Sequence, residues 1–135
     1  MRSDLIRKVR RVLPRFLSRR LPRKIKVIEI SAGISRRLNR VYRGRNKPAN
    51  VLSFYYGKDA SRRSPLAKED YGEVLVCPEV IRREAKEQGN AYQYQMTWME
   101  IHGMLHLAGL HHEKSGVRGV QAEKLERKIL LKIFK

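Results

Sequence analysis

The sequence predicts an α+β fold: a single domain in which a small mixed β-sheet of three to four strands packs with about five helices. Three observations predict it. β-branched and aromatic runs at residues 25–30, 51–56 and 73–77 have the length and composition of strands. Around them lie apolar residues at helical spacing, which form one-sided stripes. Proline and glycine stand at the changeovers, where a chain must start, stop or turn. The 135 residues, 41% of them hydrophobic, suffice for one core and little more. With no repeat, linker or low-complexity stretch, residues 1–135 are expected to form one domain.

Taken in order, residues 4–21 carry Leu5, Ile6, Val9, Val12, Leu13, Phe16, Leu17 and Leu21, a 3.6-residue stripe with arginines opposite. The stripe predicts a core-facing helix, kinked or split at Pro14. The first strand follows, and Ser31 is placed to cap a helix running to about residue 42, with Ile34, Leu38 and Val41 as its buried side. A polar turn region at 44–50 leads into the second strand, and a charged loop at 57–71 into the third. Pro78 suits the first position of a helix that reaches Gln88 and stops at Gly89. A longer apolar helix is expected over 92–108. A last amphipathic helix over 117–134 turns Val117, Val120, Leu125, Ile129, Leu130 and Ile133 inward.

The net charge is +18, and it is lopsided: residues 1–50 hold 17 Lys and Arg against two acids. A footprint this basic attracts polyanions, and RNA is the abundant one in a cytoplasm. The single cysteine, Cys77, excludes an internal disulfide and fits a reducing compartment, so a cytoplasmic location is expected. No apolar run approaches the ~20 residues that a membrane span needs, and no membrane partner is expected.

All four histidines fall within residues 102–112. His102 and His106 are four apart, so on the central helix they stack on one face. Gly109 then ends the helix and turns the chain back, which can bring a third imidazole, His112 or its neighbour His111, to the first two. Three neutral nitrogens with an open fourth position suit one Zn²⁺ ion. The metal site is therefore expected at the end of this helix. Zinc peptidases place a glutamate after the first histidine, and here that residue is Gly103. The nearest acid, Glu100, lies about 200° round the helix from His102. Peptidase chemistry is disfavoured. A phosphodiester substrate instead asks for a cation, and Arg43 offers a guanidinium able to grip two phosphate oxygens.

With these residues in view, His102-Gly-x-Leu-His106-Leu-x-Gly-x-x-His112 resembles the diagnostic motif of the YbeY family, bacterial rRNA maturation factors described as single-strand endoribonucleases. Upstream, Leu38-Asn39-x-x-Tyr42-Arg43-Gly44 followed by Asn50-Val51-Leu52-Ser53-Phe54 resembles its second motif, and Gly72-Glu73-x-x-x-Cys77-Pro78 a third block. The similarity spans roughly residues 25–130. It implies that His102, His106 and His112 bind zinc and that Arg43 is catalytic. It further implies a YbeY-like metallohydrolase domain cutting single-stranded RNA in rRNA maturation and ribosome quality control. Ribosomal subunits and ribosomal or assembly proteins would be its partners, and DNA would not. The chain departs from the family in having Leu110-His111 where Tyr-Asp is usual, which removes a carboxylate beside the last ligand. Ala49 also replaces a threonine, and the chain starts at a helix where relatives often begin with an edge strand.

His111 is a candidate proton shuttle, and Tyr42, Tyr55 and Tyr56 are candidate base-stacking residues. Two other readings stand beside the nuclease: a non-catalytic, zinc-containing ribosome-assembly or RNA-binding factor, and a metallohydrolase of another substrate class.

Overall fold

A computed structural model describes residues 2–56, 70–109 and 117–134 of the chain. The proposed ligands His111 and His112, and nearly all of the charged loop expected at 57–71, lie outside the described residues. The order of elements is α1 (Arg2–Val12), α2 (Arg15–Ser18), β1 (Lys24–Glu29), α3 (Ala32–Arg43), β2 (Val51–Tyr55), β3 (Tyr71–Val76), α4 (Pro78–Gln88), α5 (Tyr92–Leu107) and α6 (Val117–Ile133). This is the expected α+β arrangement, with three strands and six helices among the described residues. The sixth helix arises because Pro14 splits the N-terminal stripe, leaving α2 as a single turn.

The sheet is mixed, in the order β1-β3-β2. β3 runs parallel to β1 from Lys24↔Tyr71 to Glu29↔Val76, and antiparallel to β2 from Val51↔Val76 to Tyr55↔Gly72. On central β3 the side chains alternate, and Gly72, Val74 and Val76 are buried. The face carrying Val74, Val51 and Ser53 receives α5. Val9, Leu13, Leu17 and Leu21 from the N-terminal segment and Ile129 and Leu130 from α6 close the same core around Ile101, Met104 and Leu105 of α5. Arg10 fastens α1 to the start of β1 by donating to the carbonyls of Pro22 and Arg23.

Two expectations about burial are corrected. Phe16 is 67% exposed rather than core-facing, because the break at Pro14 takes it out of register with the α1 stripe. More instructively, α3 is rolled about its axis, so that Leu38 alone of the expected buried side is half-buried. Ile34 and Val41 are 47% and 65% exposed, whereas the polar Ser35 and Asn39 are buried. The physical reason is the turn that follows. Ser35 Oγ accepts from the Ala49 N–H and donates to its carbonyl, both at 2.8 Å, and Asn39 Nδ2 donates to the Lys47 carbonyl at 2.7 Å. The loop into β2 has backbone groups to satisfy, and α3 supplies the partners. Ser31 caps this helix as expected, accepting from the Ile34 N–H.

Candidate metal and RNA site

α5 is the most deeply embedded helix, and its histidine face is set by how closely it meets the sheet. Gly103 lies against β2 and β3, and a Cβ there would fall 2.5 Å from Val74 Cγ1 and 3.1 Å from both Ser53 Oγ and Val51 Cγ2. The Gly103 carbonyl is held from the sheet side by the Ser53 hydroxyl at 2.8 Å. No side chain fits at this position, so a glutamate following the first histidine is excluded by packing. Glu100 does not replace it. It lines a cavity of about 600 Å³ with Asp4, Lys8, Tyr92 and Thr97, between α5 and α1. The acid faces away from the histidines, as its helical position predicts.

His102 and His106 do meet: their ring centroids are 4.4 Å apart, at an interplanar angle of 43°. His106 is buried and His102 half-buried. Behind His102 stands a residue that the sequence reading passed over. Glu126, on α6, lies 2.9 Å from His102 Nδ1 through Oε2 and accepts from Trp98 Nε1–H at 2.7 Å through Oε1. It is 2% exposed. Its signal in the sequence was an acid set in the inward stripe of an amphipathic helix, between Ala122 and Ile129. With Nδ1 facing the carboxylate, Nε2 is the ring nitrogen left for a metal.

The donor chemistry at the two described positions therefore fits a zinc ion: two imidazoles on one helical face, one of them backed by a carboxylate. Among the described residues, no group of three His, Cys, Asp or Glu side chains comes together. The third proposed ligand, His112, and the proposed shuttle, His111, fall outside them. After α5 the chain turns at Gly109 with φ +92°, a left-handed conformation that the expected helix stop requires.

The basic half of the chain reaches this end of α5. A Cβ on Gly109 would fall 2.7 Å from Arg20 Nη2, so the Arg20 guanidinium rests against the turn that follows the histidines. Arg43 is exposed in the last turn of α3, just before Gly44. Its helix and the histidine helix meet opposite faces of β2 at adjacent positions. Phe54 meets the Tyr42 ring edge-on at 5.1 Å, while Ser53 leaves by the opposite face to reach Gly103. Of the three candidate stacking residues, Tyr42 is 65% exposed. Tyr55 packs on the core and donates to Asp70, and Tyr56 stacks on Tyr71 and donates to Glu73. Burial pushes the Tyr56 phenol up from its ordinary pKa, and the Glu73 charge adds to the effect.

Among the described residues, no helix is long and apolar enough to cross a membrane.

The family model described as Endoribonuclease YbeY matches residues 2–133. An Endoribonuclease YbeY of Chelativorans sp. (strain BNC1) is 41% identical over 95 residues, covering 70% of this chain and 56% of the relative. Those of Thermotoga neapolitana and Alkalilimnicola ehrlichii are 40% and 39% identical, over 64% and 78% of this chain and 52% and 61% of theirs. The chain thus spans between about half and three fifths of the length of the curated relatives it matches. A Thermotoga maritima protein solved in solution shares the fold, with a TM-score of 0.56 at 24% identity, over 98% of this chain and 83% of that one. On the strength of the family match and these relatives, the chain belongs to the YbeY family.

Proposed function

We propose that this protein is a zinc-dependent endoribonuclease that cuts single-stranded RNA in rRNA maturation and ribosome quality control. The reading takes residues 1–135 as one metallohydrolase domain, working in the cytoplasm with ribosomal subunits and their associated or assembly proteins. The observation that carries it is the pair of imidazoles on α5, with centroids 4.4 Å apart and a buried carboxylate behind the first. His102, His106 and His112 would hold one zinc ion. When bound, zinc supplies a Lewis acid that polarises a water molecule or the scissile phosphate. Membership of a family whose relatives are named endoribonucleases supports RNA as the substrate.

The chain's own residues then divide the work. Arg43 grips two oxygens of the phosphate and offsets the charge that grows on it. Arg20 adds a second guanidinium at the Gly109 turn that follows the two imidazoles in the chain. Arg36, Arg37 and Arg40, all exposed on α3, extend the positive surface along which a strand lies, and the exposed Tyr42 ring offers a base a stacking partner. His111 is the candidate for carrying a proton. Gly103 leaves no room for a peptidase-type base, which favours phosphate over peptide chemistry.

The deciding experiment is His106→Ala, assayed for zinc content and for cleavage of single-stranded rRNA fragments. The variant is expected to lose both. If it retains stoichiometric zinc and full cleavage, the reading is wrong.

A further inference from the structure

We propose that Glu126 is the positioning residue of the histidine site: it sets the tautomer of His102, and Trp98 sets which way Glu126 can act. The inference rests on the zinc reading above for its consequence, though not for its geometry. Glu126 sits on the apolar stripe of α6 with Ala122, Ile129 and Leu130, all buried. A carboxylate in such surroundings is tolerated only where its oxygens are paired. Here one oxygen takes the indole N–H of Trp98 at 2.7 Å and the other lies 2.9 Å from His102 Nδ1. Trp98 and His102 are four residues apart on α5, so one carboxylate spans two successive turns of the same face.

The consequence follows from donor and acceptor chemistry. Trp98 Nε1 can only donate, and both oxygens of a carboxylate accept. His102 must therefore carry its proton on Nδ1, which leaves the Nε2 lone pair for a metal. A glutamine at 126 reverses this. The indole N–H obliges the amide to present its oxygen to Trp98, so the amide nitrogen faces His102 and donates to Nδ1. The proton moves to Nε2, and the metal-binding lone pair is lost. Both hydrogen bonds survive in this substitution. A purely structural tie between α5 and α6 would hardly notice it.

The test uses three variants of the full chain: Glu126→Gln, Trp98→Phe and the two combined. Zinc dissociation constants come from competition with a chromophoric chelator. Imidazole tautomers in the metal-free protein come from long-range ¹H–¹⁵N spectra, recorded above the imidazole titration range. Glu126→Gln is expected to weaken zinc binding by about ten- to a hundredfold with little change in melting temperature. His102 should change from the Nδ1–H to the Nε2–H form. Trp98→Phe should stay within a few-fold of the parent, since Glu126 still accepts from Nδ1–H. The double variant should recover affinity relative to Glu126→Gln, because the amide is then able to rotate its oxygen towards His102.

A parent protein with His102 in the Nε2–H form overturns the positioning role, as does Glu126→Gln with unchanged tautomer and unchanged affinity. A parent in the Nδ1–H form that takes up no zinc, with the tautomer switching in Glu126→Gln, upholds the positioning role and sinks the zinc reading instead.

Discussion

The two helices that carry the proposed chemistry, α5 for the metal and α3 for the phosphate, are held in opposite ways. α5 is buried along most of its length, including the polar Gln95, Glu100 and His106. Its neighbours come from distant parts of the chain: Ser53 on β2, Val74 on β3 and Glu126 on α6. α3 is fastened locally. Its buried residues, Ser35 and Asn39, bond to carbonyls of the turn just beyond it, and Ile34, Val41 and the arginine side chains face outward. A metal site needs donors fixed to within a few tenths of an ångström, which dense tertiary packing provides. A phosphate grip has to meet a long, jointed polyanion, and an exposed guanidinium at a helix end suits that. The difference matches the division of labour proposed for them, between holding an ion and receiving a strand.

Arg43→Ala breaks the comparison at its functional point and should have the largest effect. Removing a charge-stabilising donor from a transition state costs about a hundredfold in kcat. Zinc content and folding should stay at parental levels, because the side chain is exposed. Single-turnover cleavage with parallel metal analysis checks this, and a variant that loses zinc as well would refute the separation of the two helices' roles.

Gly103→Ala strikes at the packing of α5. In an isolated helix alanine is better than glycine by about 1 kcal/mol. Here the new methyl falls 2.5 Å from Val74 Cγ1, a buried β-branched side chain on the central strand with little freedom to move. Overpacking of this kind costs about 1–3 kcal/mol, enough to outweigh the propensity gain. Urea unfolding should show a net loss of stability. A more stable variant would mean that α5 sits farther from the sheet than the structure places it.

The same contrast explains which features the sequence discloses. The histidine pair requires only a helix of known period, so His102 and His106 could be placed together from spacing alone. The end of α4 at Gly89 and the split at Pro14 are likewise local backbone chemistry. Glu126 was hidden because its partners, Trp98 and His102, are 28 and 24 residues away in sequence. An acid on an otherwise apolar stripe was its only mark. Gly103 could be read as the lack of a peptidase base, yet its cause lies on two strands that only the fold brings up. The orientation of α3 failed for a different reason. Ile34, Leu38 and Val41 share a helical face, but so do Ser35 and Asn39. Periodicity detects a helix and does not say which side turns inward when the adjoining turn has unpaired carbonyls to satisfy.

The smallest effects test that last point. Ser35→Ala removes a hydroxyl that both accepts from and donates to Ala49, and should cost about 1–2 kcal/mol, as for a buried polar group left without its partner. Val41→Ser should stay within about 0.5 kcal/mol of the parent, because Val41 is 65% exposed. By hydrophobic patterning alone the order would be reversed: a buried valine would be expensive to replace, and a surface serine would not. Thermal or urea unfolding of the two variants therefore reads the orientation of α3 directly. If Val41→Ser proves the more damaging, the apolar face of α3 is the buried one. Arg36, Arg40 and Arg43 lie on the far side of α3 from Ile34 and Val41, so the positive surface would face outward in either case and only the tie to the turn would be lost.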